Sequence, residues 1–260
     1  MVAVAVFAPL LAPHDPEYID VRNSLAPPAW EQGGTWLHPL GTDQLGRDVL
    51  SRVLYGARIS LVVGLSTVLL GGTVGTILGV LAGYLRGWFE TVVMRLVDIQ
   101  LAFPAVLFAI AFMSVLGPSL RNVVMVLSLV SWAKYCRVAY GQALSLSEKE
   151  FVLAAQAQGA GTVRIVLRHV LVNALSPVIV VASFGVASNI MSEASLSFLG
   201  IGVPPTIPTW GNMLGEGREY IRMAWWFSAF PGIALMLVVF GVNALGDWLR
   251  DYLDPRLRIV

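Results

Sequence analysis

Side chains able to do covalent or redox chemistry are few in this chain and poorly spaced for it. The three histidines, His14, His38 and His169, are scattered, which argues against a metal cluster, and the single cysteine, Cys136, has no partner for an internal disulfide. Neither lysine, Lys134 or Lys149, follows a glycine, so the G-x-x-x-x-G-K-[ST] phosphate loop is missing. H-E-x-x-H and a G-x-S-x-G nucleophile turn are missing as well. No residue is expected to be catalytic, to bind a cofactor or to ligate a metal. What remains is chemistry of contact: small residues at regular spacing, capped helix ends, and polar groups set in apolar surroundings.

The elements that position those residues follow from composition. Of 260 residues 57% are hydrophobic and 13% charged, about half the charge of a soluble domain, so the solvent for most of the surface is lipid. A net charge of +1 leaves no basic surplus for nucleic acid. Since a spanning helix needs about 20 apolar residues, four uncharged runs qualify: Ile59–Leu85, Ile99–Leu120, Val170–Ser192 and Met223–Gly246. A fifth run, Asn122–Ala133, reaches span length if extended to about Leu144. That extension passes Lys134 and Arg137, which share a face and either snorkel to the interface or turn into a wet cavity. Residues 1–12 are apolar but cover only about 18 Å, a partial first span. The fold class predicted is all-α, polytopic, with about six transmembrane helices, the first truncated.

With cytoplasmic termini, segments 86–95, 134–169 and 247–260 carry about twice the Lys/Arg density of 13–58, 117–122 and 193–222, as positive-inside orientation requires. In the second span Thr67, Gly71, Gly75, Gly79 and Gly83 recur every fourth residue and make a seam for a neighbouring backbone, either a sliding contact or static packing. Pro104, Pro177 and Pro231 predict kinks.

Three segments lie in water. Residues 13–58 end in Asp43, Arg47, Asp48 and Arg52, two i,i+4 acid–base pairs, with Leu45, Val49 and Val53 as an apolar stripe; this predicts a short interfacial helix on an extracytoplasmic segment. Glu193–Arg222, broken by Gly and Pro, predicts a structured outer loop. In the cytoplasmic loop, residues 145–169, Ser147 and Glu150 form a capping box with Leu146 and Phe151 as staple, and Gly159 and Gly161 supply the stop. A helix over Glu148–Gln158 results, presenting Ala154, Ala155 and Ala157 as either a linker or a docking knob.

The stretch from Phe151 to Pro177 resembles the "EAA" loop of binding-protein-dependent ABC importer permeases, matching at Ala154, Ala155, Gly159, Ile165 and Leu171. Leu153 replaces the Glu that opens the motif, and Val172 stands where Pro is common. His38–Leu61, Ser192–Gly211 and Gly246–Arg258 are similar to the second permease subunit of the dipeptide, oligopeptide and nickel branch. The resemblance implies an ABC importer permease domain over residues 59–260, with no ATP site of its own. It implies three kinds of partner besides the lipid bilayer: a homologous permease subunit, two cytoplasmic ABC ATPases and an extracytoplasmic solute-binding protein.

On that reading the ATPase-coupling loop comprises Phe151, Ala154, Ala155, Ala157, Gly159, Ala160, Arg164, Ile165 and Leu171, and the pathway draws on Asn173, Ser176, Ser188 and Asn189. The location is a bacterial or archaeal inner membrane. Peptides are the expected cargo, with a nickel or other metal complex, or glutathione, as alternatives. An ion-coupled secondary transporter is the competing class, but the chain offers few intramembrane ionisable groups for it.

Overall fold

The computed structural model describes residues 2–253; the end of the family-like stretch at Asp254–Arg258 lies outside them. The described chain is all-α apart from a single bridge between Thr42 and Asp48. The helices are α1 (Val2–Leu11), α2 (Val49–Leu85), α3 (Gly87–Ala102), α4 (Ala105–Leu116), α5 (Leu120–Ser147), α6 (Glu150–Ala157), α7 (Thr162–Ile165), α8 (Leu171–Phe198), α9 (Trp210–Gly217) and α10 (Trp225–Leu253). Wider π-type turns over Val166–Val170 join α7 to α8. Among the described residues four helices are long and apolar enough to cross a membrane: α2, α5, the run Thr162–Phe198, and α10. The pair α3 and α4 makes a fifth if a bent pair counts as one span. Helix α1, at about 1.5 Å per residue, is about half of what a hydrocarbon core of about 30 Å needs.

The helix ends depart from the uncharged runs at three places, each for a stated reason. The single span expected over Ile99–Leu120, kinked at Pro104, is instead two helices bent by 92°. Phe103, preceding Pro104, is extended (φ −91°, ψ 138°), because the proline ring excludes the α conformation from the residue before it. The interfacial helix expected around Asp43–Arg52 does not form on its own. Residues 42–48 are a tight turn with Gly46 at φ +73°, and the helix starts at Val49 and runs unbroken to Leu85. At the other end of the chain, α8 passes Glu193 and stops at Phe198; Glu193 is fully buried rather than at a span end, with its Oε1 accepting the Ser197 hydroxyl at 2.7 Å.

By contacts the chain divides into two compact units, Met1–Leu65 with Phe112–Val124 and Ala187–Gly241, and Ser66–Ala111 with Met125–Val186 and Val242–Val260. The first is organised around Val49, Met213, Ala224, Trp226 and Phe227 and around charge. Asp43 Oδ1 accepts the Leu45 and Arg47 N–H groups at 2.8 and 3.0 Å, and its Oδ2 pairs with Arg47 Nε at 2.6 Å and with Arg52. Glu216 closes the group, 2.9 Å from Arg47 and 3.2 Å from Arg52. The expected Asp43–Arg47 pair is therefore present. Arg52, however, joins Asp43 and Glu216 instead of Asp48, which faces the start of α2 and accepts from Ser51 N–H at 2.8 Å. The loop between α8 and α10 is structured, as expected: Thr209 caps α9 through the Asn212 N–H, and the Asn212 amide donates to the carbonyls of Val203, Pro204 and Ile207.

In the second unit the small-residue seam of α2 meets α5. A Cβ at Gly75 would stand 2.3 Å from the Trp132 carbonyl, one at Gly79 2.3 Å from that of Cys136, and one at Gly83 2.7 Å from that of Tyr140. A Cβ at Gly71 would stand 2.5 Å from Ser131 Oγ. At Gly75, Gly79 and Gly83 these are backbone-to-backbone approaches that any larger residue blocks. Arg137 of α5 pairs with Asp98 of α3, both about half exposed, while Lys134 is exposed.

Candidate functional site

The residues of the loop between α5 and α8 build a recessed surface whose walls are α6 and the chain that follows it. The expected capping box is absent: α5 extends through Ser147, whose hydroxyl donates back to the Leu144 carbonyl at 2.8 Å, and α6 begins later, at Glu150, with no side chain capping it. The stop is as firm as Gly159 suggests. Gly159 sits at φ +79°, its N–H reaches the Gln156 carbonyl at 2.9 Å, and the Ala160 N–H reaches that of Ala155 at 3.0 Å. This is a Schellman closure, which requires the left-handed residue that glycine supplies most cheaply.

Helix α6 is seated by one residue of its own. Val152 is fully buried in a cluster with Ile165, Val166 and Val170 from the following turns and with Val80, Tyr135, Ala139, Ala143, Ala174 and Val178. Leu146 and Leu171 pack against its edge. Two polar contacts add to the seat: Glu148 pairs with Arg86 at 2.8 Å, exposed and so of little energetic weight, and Gln156 donates to the Tyr84 hydroxyl at 3.3 Å. The opposite face stays open, with Phe151, Leu153, Ala154, Ala157 and Gly159 exposed.

Beside α6 lies a groove of about 530 Å³ lined by Phe151, Ala154, Ala155, Gly159, Ala160 and Arg164, and also by Gln158, Arg168 and His169. The first six are residues that the sequence places in the coupling loop; the last three are additions. Ala157 is exposed outside the groove, and Ile165 and Leu171 serve its foundation. The lining contains two guanidinium groups and no carboxylate, a surface for an acidic partner group. The run Arg164, Arg168, His169 is the available signal for its charge, since these stand one turn apart at the start of a helix.

The suggested pathway residues are not all brought together. Asn173 and Ser176 line a cavity of about 530 Å³ with Pro177, Val180, Val181, Arg250 and Leu253. Ser188 is exposed and Asn189 is buried, and neither lines that cavity. Arg250, the one charge in the lining, lies outside the expected set. The expectation that the histidines are too scattered to meet fails for two of them: the rings of His14 and His38 lie 4.8 Å apart.

The described chain thus has several helices long and apolar enough to cross a membrane, with a short, glycine-terminated helix exposed between two of them, and comparison with known proteins gives its class. Residues 75–259 match the family described as "Binding-protein-dependent transport system inner membrane component". The Di/tripeptide transport system permease protein DppC of Pseudomonas aeruginosa is 43% identical over 99% of this chain and 85% of its own length. The Dipeptide transport system permease protein DppC of Escherichia coli is 43% identical over 98% of this chain and 85% of its own. In fold, the chain is similar to a solved structure of the MetNI methionine ABC transporter in an inward-facing conformation, with TM-score 0.62 and 17% identity over 78% of this chain and 96% of that one. The chain belongs to the family of binding-protein-dependent ABC importer permeases, among its DppC-like members.

Proposed function

We propose that this chain forms one half of the translocation path of an ATP-driven importer of short peptides. It pairs with a homologous permease subunit, receives cargo from an extracytoplasmic solute-binding protein, and is driven by two cytoplasmic ATPases. Both termini are cytoplasmic, which puts α6 and its groove on the ATPase side, in line with the Lys/Arg distribution. The observation that carries this reading is α6 itself: seated through Val152, closed at Gly159, and presenting Ala154 and Ala155 beside a basic groove. Small side chains admit a close partner surface, and Arg164 and Arg168 attract an acidic one. Peptide cargo is supported by the names of the relatives, which carry dipeptide or tripeptide transport. Asn173, Ser176 and Arg250 supply the polar and cationic groups that a peptide carboxylate or backbone would meet along the path.

The test is uptake by the reconstituted complex in proteoliposomes, with radiolabelled dialanine as cargo. Ala154→Trp places bulk on an exposed position, so the complex should still fold while ATP-driven uptake falls to near background. Unchanged uptake in the variant, or wild-type uptake of nickel or glutathione but not of dipeptide, contradicts the proposal.

A further inference from the structure

Asp48, one residue ahead of α2, uses only one carboxylate oxygen at the helix start. Its Oδ2 accepts the Ser51 N–H at 2.8 Å and the Ser51 hydroxyl at 2.7 Å. Its Oδ1 faces two imidazoles instead, with His38 Nδ1 at 3.0 Å and His14 Nδ1 at 3.9 Å. Asp48 and His38 are buried. The serine that fixes Asp48 also accepts the backbone N–H of His14 at 3.1 Å, so one hydroxyl sets both the carboxylate and the chain carrying the second ring. One atom has no role in a purely hydrogen-bonded cluster: His14 Nδ1 is sealed from solvent and lacks a hydrogen-bond partner. Leaving a buried polar atom bare is unfavourable, and a ligand in the space between the rings would satisfy it.

We propose that His14, His38 and Asp48 are ligands of a divalent transition-metal site that takes zinc. Two imidazole nitrogens and a carboxylate oxygen are a borderline donor set suited to that ion, whereas magnesium and calcium require mostly oxygen. Zinc bonds of about 2.0–2.1 Å in a tetrahedron place ligand atoms about 3.3 Å apart. The two separations from Asp48 Oδ1, 3.0 and 3.9 Å, bracket that spacing, and one donor atom from each residue lies within 4.8 Å of the others. Ligation therefore draws the His14 nitrogen toward Asp48 by about half an ångström and leaves His38 nearly in place. Ser51 holds Asp48 from behind, as the outer partners of metal ligands do. His14 also borders a cavity of about 630 Å³ with Asp15, Glu17 and Tyr55, a source of water for the fourth position. The bound ion ties together three separate segments, the chain following α1, the loop at residue 38 and the start of α2.

The full chain, purified in detergent with a histidine-free tag and stripped of metal, is titrated with zinc against a chromophoric competitor. One site per chain is expected, with affinity weakened by about tenfold or more in His14→Gln and unchanged in His169→Gln, which removes the third histidine. Zinc should raise the Tm of the wild type and of His169→Gln but not that of His14→Gln. No stoichiometric zinc binding by the wild type, or equal affinity in His14→Gln, overturns the proposal. Should His14→Gln fail to fold, the cobalt(II)-loaded wild type decides: intense visible bands of a four-coordinate nitrogen and oxygen site support the assignment, and their absence refutes it.

Discussion

Single residues decide more here than their number suggests, because charge inside an apolar protein must be matched. Arg52 is 1% exposed and Asp43 is fully buried, so removing the guanidinium strands a carboxylate that Arg47 alone then faces. Breaking one partner of a buried pair costs roughly 3–5 kcal/mol, and Arg52→Met should lower stability by that order in denaturant unfolding of the detergent-solubilised protein. Glu216→Gln, at a partly exposed carboxylate, should cost clearly less; the reverse ranking would mean that the network is not centred on Asp43. Val152 gives a second residue-scale prediction. Truncating it to alanine removes two buried carbons, worth about 1–2 kcal/mol at about 0.8 kcal/mol each, and should speed hydrogen exchange across α6 while leaving the spans protected. Unaltered exchange there would show that α6 is seated by its polar contacts instead. These residues also mark where sequence reading stops. The acid–base pairs are visible as i,i+4 spacings, but Arg52 changes partner because Gly46 turns the chain before the helix begins, and nothing local to residues 43–52 points to Glu216. His14 and His38 meet for the same kind of reason: a long irregular segment folds back on α2, and no periodicity reports it.

Elements are legible in their number and less so at their ends. Uncharged runs find helices in lipid well, yet they treat every charge as a boundary. Helix α2 begins well before Arg58, and α8 continues beyond Glu193, because the buried Arg52 pairs with Asp43 and Glu216 and the buried Glu193 accepts from Ser197. Pro104 predicts a kink, and its effect is larger, a break of 92° that splits a run hydropathy alone reads as continuous. The capping box at Ser147 does not form because its hydroxyl finds the Leu144 carbonyl first, whereas the Gly159 stop does because only the backbone conformation matters there. The glycine seam yields the element-scale prediction. Gly79→Ala pushes a methyl group to 2.3 Å from the Cys136 carbonyl, so α2 and α5 must separate, at about 1–3 kcal/mol. Gly141→Ala, on the partner helix where nothing lies within 4 Å, should be nearly silent. Thermal unfolding of the two variants in the same detergent checks the contrast; equal losses would remove the seam's special status.

For the molecule as a whole, composition and four sequence stretches lead to the transporter family, and the family match confirms that step. The basic groove, by contrast, needs the fold, because Arg168 and His169 come beside Ala154 only once the chain has turned at Gly159. The proposed coupling requires α6 to meet the ATPase. Its most direct measurement is cross-linking in the assembled importer. Ala154→Cys adds an exposed thiol to a chain whose own Cys136 is buried, and a short bifunctional reagent carried on that thiol should capture the ATPase subunit, in a yield that changes with ATP. An active complex in which the introduced thiol captures only lipid, the permease partner or nothing would contradict the account.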